Sequence, residues 1–194
     1  MNIARLLYPI QVLGPGRRIG IWVCGCRRAC KGCSNPELWV PRPEYEVSIP
    51  EILQLVRRVA ADQPVDGFTI SGGEPMDQAG ELAILLEELA LISEDILVYT
   101  GYRLCELRKM RDPAVNAVLE HTAVLIDGAY IEARNDDSLL RGSSNQEIHI
   151  LDPALAGNYE AYLNSAHNQI QNFTTSDGVV SVGIHRRSFT GGER

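Results

Sequence analysis

Long apolar runs are missing from this sequence. Nowhere do 18 apolar residues follow one another, so no segment reads as a membrane-crossing helix. Positive charge is also scarce: 18 Lys and Arg stand against 25 Asp and Glu, a formal net charge of −7. That balance argues against broad binding to nucleic acid or to an anionic membrane. The opening MNIARLLYPIQVLGPG has no long apolar stretch before Pro9 and no small-residue cleavage site. No secretory signal is therefore expected, and the chain is read as cytoplasmic. No repeat, low-complexity tract or linker interrupts it, so a single domain is expected over residues 1–194.

Thiols stay reduced in such a compartment, so the five cysteines read as ligands or free thiols rather than as a disulfide framework. They are not spread evenly. The stretch GCRRACKGCSNP holds Cys26-x3-Cys30-x2-Cys33, and Cys24 lies just upstream. Structural zinc prefers four ligands, usually as two separated pairs. An iron–sulfur cluster also takes four cysteines, so three would leave one iron open to a small molecule. The spacing favours a cluster over zinc or free thiols. Cys24 is expected to be a buried thiol, the commoner fate of a lone strand cysteine.

Around this loop the pattern alternates between strands and helices. Arg18 to Val23, Gly67 to Ser71, Asp95 to Thr100, Ala123 to Asp127 and Glu147 to Leu151 are short, apolar and β-branched, and read as strands. Ser48, with Glu51 three residues on, is a capping box opening a helix whose apolar face runs from Ile49 to Ala60. Further helices are expected at Gln78–Leu91, Tyr102–Met110, Pro113–Glu120 and Pro153–Gln171. Asp177-Gly178 reads as a turn before a last strand, Val179 to Ile184, and the tail after His185 as loose. The implied fold is α/β with a mostly parallel sheet, either open or a partial (β/α) barrel. Ligands in such folds sit beyond the C-terminal ends of the strands. The cysteine loop, GGEP, TGY and DG each follow a strand, so four loops converge on one rim.

These residues resemble a known family. Cys26-x3-Cys30-x2-Cys33 followed by Ser71-Gly72-Gly73-Glu74-Pro75 is similar to the radical S-adenosylmethionine enzymes. WVCGC, CKGCSNPELW, SGGEP, YTGY, LIDG and LLRGSSNQ, in that order across residues 14 to 151, resemble the activating enzymes of anaerobic ribonucleotide reductase. The resemblance implies a radical S-adenosylmethionine core over about 14–151 and a helix-and-strand extension over 152–194. It implies that Cys26, Cys30 and Cys33 hold a [4Fe–4S] cluster whose open iron binds S-adenosylmethionine. Reductive cleavage would give a 5′-deoxyadenosyl radical that abstracts hydrogen from a glycine of a partner glycyl radical enzyme. The electron would come from a donor such as flavodoxin or ferredoxin.

By the same resemblance, Gly72, Gly73, Glu74 and Pro75 form the methionine-binding loop. Thr100, Gly101 and Asp127 lie near the nucleoside half, and Arg141 grips a carboxylate of the cofactor or target. Two glycines would let the backbone approach the ligand closely. Asp127 is equally a turn-former before Gly128. Trp22 and Trp39 are expected to shield the cluster loop, Tyr102 to pack, and His121, His149, His167 and His185 to be structural or superficial. Many radical enzymes carry an aromatic just before the third cysteine, where this chain has Gly32. Two other readings stay open: the same chemistry on a peptide or small metabolite, and a non-catalytic metal-bearing binding module.

Overall fold

The structure is a computed structural model and describes residues 1–175 and 178–185. Its centre is a six-stranded sheet in the order β1-β2-β3-β4-β5-β6. The strands are β1 (Ile3–Ile10), β2 (Arg18–Val23), β3 (Gly67–Gly72), β4 (Ile96–Tyr99), β5 (Val124–Asp127) and β6 (Glu147–Ile150). β2 to β5 pair in parallel, while β1 and β6 pair antiparallel at the two edges. The protein is thus mixed α/β with a mostly parallel sheet. β1 was not expected from the sequence: its Arg5 and Pro9 break the apolar run that marks a strand, and it is only half-buried.

Each parallel crossover carries helix: α1 (Ile49–Asp62), α2 (Ala79–Ala90), then α3 (Leu104–Met110) with α4 (Pro113–Glu120). Ser48 and Glu51 make the capping box at α1, as the sequence predicts. The parallel strands are buried on both faces, so alternate residues serve two cores. Ile19, Ile21, Phe68, Ile70, Ile96, Val98 and Leu125 pack against the four helices. Trp22 faces the other way, with Ile10, Leu13, Cys24, Leu38 and Val182. Leu97, Val124 and Ile126 also face that way, beneath Tyr159.

That second face is covered by α5 (Ala156–Ser165) and a separate hairpin of β7 (Gln171–Thr175) and β8 (Gly178–Val182). The sequence overextended this helix. It ends at Ser165, and Gln171 already belongs to a strand, because Gln171, Phe173 and Thr175 alternate inward. The expected turn falls at Asp177-Gly178, of which Asp177 lies outside the described residues, as does the tail beyond His185.

The N-terminal end of the sheet is plugged by a buried ion pair. Arg18, fully buried, donates to Asp95 Oδ2 at 2.8 Å and to Thr69 Oγ1 at 2.8 Å, while the Tyr159 hydroxyl donates to Asp95 Oδ1 at 2.6 Å. Arg18, Asp95, Thr69 and Tyr159 are each matched, which is the condition for burying charge. The C-terminal end is left for the loops.

Candidate cofactor site

The cysteine loop begins where β2 loses its regularity. Two residues apart, Cys24 and Cys26 would share a face if the strand continued. Gly25 takes φ 107°, a conformation that favours glycine, and redirects the chain. Cys24 stays in the core. Its Sγ donates to Val40 O at 3.1 Å, and burial pushes its thiol pKa up. Gly25 N and Cys26 N donate to Leu38 O and Trp39 O at 2.8 and 2.9 Å, which closes the stem of the loop. Cys33 N donates back to Cys30 O at 3.1 Å, so the last two ligand candidates bracket a tight turn. Gly32 sits in it at φ 74°, where a Cβ would meet the Glu132 carboxyl carbon at 2.8 Å. Any side chain there needs Glu132 to move and takes a backbone conformation that favours glycine. From β1, Arg5 pins the far side of the loop to Asn35 Oδ1 at 3.1 Å and Glu37 Oε1 at 2.5 Å.

The loop after β3 packs backbone to backbone against this turn. Gly73 N donates to Val23 O and Glu74 N to Gly25 O, both at 2.8 Å. A Cβ on Gly72 would lie 2.3 Å from Val23 O, and one on Gly73 would lie 2.2 Å from Gly25 O. The two glycines are therefore required by the protein's own neighbouring chain, not only by approach to a ligand.

Glu74 then ties a third loop in. It is 1% exposed; Oε1 accepts from Thr100 Oγ1 at 2.7 Å and from Met76 N at 3.1 Å, and Oε2 accepts from Gly101 N at 2.8 Å. Burial raises its pKa, and those hydrogen bonds and Arg28 oppose the rise. Arg28 Nε lies 3.5 Å from Glu74 Oε2, and its guanidinium stacks 4.1 Å from the Tyr102 ring centroid. Gly101 makes room for it, since a Cβ there would meet Arg28 Cδ at 2.3 Å. Tyr102 thus packs, as expected, and what it packs is a cation from the cysteine loop.

Cys26, Cys30 and Cys33 open onto one cavity, together with Gly72, Gly73, Glu74, Thr100 and Gly101. Trp22 and Trp39 also line it. Three candidates do not. Pro75 is buried in the 3₁₀ turn that follows. Asp127 Oδ2 accepts from Leu104 N at 2.7 Å and lies 2.9 Å from His149 Nε2, so its carboxylate serves the start of α3. Arg141 pairs with Asp136 Oδ2 at 2.9 Å. Asp127, Glu147 and His149 bring their ligand atoms within 4.8 Å of one another. Arg103 Nη1, 3.4 Å from Asp127 and 3.5 Å from Glu147, already supplies the cation.

Several wall residues escaped the sequence reading: Arg28, Tyr99, Asn135, Gln146 and His185. Arg28 had a signal, a cation between two candidate ligands. His185, whose pKa burial lowers, had none.

The donor set fits an iron–sulfur cluster. The three thiols are free and half-buried. Their sulfurs do not all lie within 4.8 Å of one another, whereas one tetrahedral zinc with ~2.3 Å bonds draws its sulfurs to about 3.8 Å. Arg28 Nε, Trp39 Nε1 and Tyr99 Oη are buried without a hydrogen bond, and all three residues are among those that line the cavity. Such groups cost about 1–3 kcal/mol each unless a bound polar molecule meets them.

Comparison with known proteins agrees. Residues 12–149 match the model of a 4Fe-4S single cluster domain. The chain is 36% identical over 153 residues to the anaerobic ribonucleoside-triphosphate reductase-activating protein of Vibrio cholerae, covering 73% of this chain and 94% of that one. The protein of the same name from Escherichia coli is 32% identical over 153 residues, covering 74% and 96%. Its counterpart in Enterobacteria phage T4 is 29% identical over 153 residues, covering 76% and 93%.

Proposed function

Because the chain belongs to the family of anaerobic ribonucleoside-triphosphate reductase-activating proteins, with its 4Fe-4S domain, we propose that it is a radical S-adenosylmethionine activase of such a reductase. The observation that carries this reading is the shared cavity of Cys26, Cys30, Cys33 and the Gly72–Glu74 loop. The parallel run β2 to β5, with α1 to α4 packed on one face, supports a partial (β/α) barrel of the radical S-adenosylmethionine type.

Cys26, Cys30 and Cys33 would hold the cluster through their thiolates. A bound, reduced cluster would supply the single electron that cleaves S-adenosylmethionine, the chemistry needed to take a hydrogen atom from a glycine Cα. The protein's part is orientation and exclusion of water. The Gly72–Glu74 backbone offers carbonyls to the cofactor's ammonium. Glu74 fixes that backbone to Thr100 and Gly101, and it holds Arg28 beside the cluster loop. Tyr99 Oη and Trp39 Nε1 supply unspent hydrogen-bonding groups to polar parts of the cofactor. Trp22 and Trp39 cover the site from solvent.

The partner is the reductase, whose glycine must be brought to the cavity. Arg27 and Lys31 are exposed on the cysteine loop, which suits an acidic electron donor such as flavodoxin or ferredoxin. No helix among the described residues is long and apolar enough to cross a membrane, and a cytoplasmic setting suits a reduced cluster. The test is chemical. Protein reconstituted anaerobically with iron and sulfide, given dithionite and S-adenosylmethionine, should release 5′-deoxyadenosine and methionine. A protein that binds zinc and releases neither would contradict the reading.

A further inference from the structure

The hairpin of β7 and β8 lies beyond residues 12–149, the part that matches the cluster domain, yet it forms one wall of the cavity. Its contribution has a diagnostic pattern. Val180, Ser181, Val182, Gly183, Ile184 and His185 all line the cavity, six residues in succession. A strand presenting one face contributes every second residue. Val180, Ser181 and Val182 are consecutive residues of β8, so the strand presents its backbone edge, and Gly183, Ile184 and His185 carry the wall on beyond the strand's end. No residue of β7 lines the cavity.

That edge is unpaired within the described residues, since β8 pairs only with β7. It is also unprotected. Gly178–Val182 reads GVVSV, with no charge and no proline, the usual guards of an edge. Yet the wall is held in place. Phe173, Val180 and Val182 pack among Trp22, Cys24 and Leu38. The Gln171 amide bonds Pro9 O at 2.6 Å, and the Asn168 amide bonds Ile184 O at 2.9 Å. Across from the edge runs the far limb of the cysteine loop. A cleft between them is lined by Val179, Val180 and Ser181 on one side and by Cys33, Ser34 and Asn35 on the other. Cys33, Val180 and Ser181 border both spaces, so the cleft leads into the cavity.

We propose that this cleft takes the glycine-bearing segment of the reductase as an extended chain, added to β8 as a third strand. This rests on the activase reading. Neighbouring strands lie about 4.7–4.9 Å apart, so such a chain would run between β8 and the cysteine loop. Main-chain hydrogen bonds suit a glycine, which offers no side chain to grip, and leave its Cα exposed to the cavity. In this mode affinity comes from the backbone and selectivity from the flanking residues. The hairpin, lying outside the matched domain, adapts this chain to its own reductase.

The test is amide hydrogen exchange on the reconstituted enzyme with S-adenosylmethionine, alone and with the full-length reductase. Glycyl radical formation is read in parallel by electron paramagnetic resonance. Exchange across Val179–Gly183 should slow about tenfold or more, in an alternating pattern, with β7 amides unchanged. Radical formation with unchanged exchange in β8 would overturn the strand-addition proposal and leave the activase reading standing. Absence of any radical from the wild-type pair would instead contradict the activase reading on which the proposal rests.

Discussion

Glu74 Oε1 accepts a 2.7 Å hydrogen bond from Thr100 Oγ1, which joins the loops after two adjacent parallel strands at the floor of the cavity. Through Oε2 the same carboxylate holds Gly101 N and faces Arg28. A residue first read as part of the methionine-binding loop is the bracket that aligns three loops. Glu74→Gln should keep the fold but weaken S-adenosylmethionine binding about tenfold, roughly 1.4 kcal/mol, measured by equilibrium dialysis on the reconstituted protein. Burial raises the folded-state pKa of Glu74 above the ordinary 4.5. Its protonated form is therefore favoured by folding, and that contribution is lost as pH rises above the ordinary value through the raised one. In urea unfolding of the cluster-free protein, wild type should lose stability relative to Glu74→Gln as pH rises from about 4.5.

The cysteines should divide by reactivity. Cys24 is 1% exposed, hydrogen-bonded to Val40 O and raised in pKa, and Cys105 is exposed. Iodoacetamide should modify Cys26, Cys30, Cys33 and Cys105 of the native cluster-free protein and spare Cys24. Peptide mass mapping reads this directly. Labelling of Cys24 as fast as Cys33 would mean that it belongs to the open loop.

Tyr99 Oη is buried without a partner. Removing an unsatisfied hydroxyl should not harm the empty protein. Tyr99→Phe should leave its melting temperature unchanged or higher, while reducing the rise that S-adenosylmethionine produces in the reconstituted protein. An unchanged rise would mean that the hydroxyl meets nothing in the complex.

At the opposite end of the sheet, Asp95→Ala should destabilise by about 3–5 kcal/mol, because it leaves the guanidinium of buried Arg18 without its carboxylate. Denaturant unfolding measures this. Replacing both residues by apolar ones should cost less than the single change.

The parallel strands and their helices were legible in the sequence because burial on both faces leaves short β-branched runs, and because Ser48 and Glu51 mark a helix start locally. The cysteine loop was legible because Cys26, Cys30 and Cys33 crowd into one stretch, and GGEP because two adjacent glycines after a strand mark a close backbone approach, here to Val23 and Gly25. β1 and β7 were not, since each is only half-buried and polar residues or proline break the apolar run that marks a strand. Asp127 looked like a ligand because a carboxylate after a strand faces the rim. Its use by Leu104 N and His149 depends on the chain's return through β6, which spacing does not reveal. His185 reaches the cavity only through the hairpin, and no local pattern announces that.

The central claim is that three thiols of one loop arm this protein to place a radical on its reductase. The most direct measurement is electron paramagnetic resonance of the reductase after anaerobic incubation with reconstituted protein, reductant and S-adenosylmethionine. A glycyl radical doublet with wild type and none with Cys30→Ala is the expected result. A doublet of equal size with Cys30→Ala, or none with a fully clustered wild type and its reductase, would contradict it.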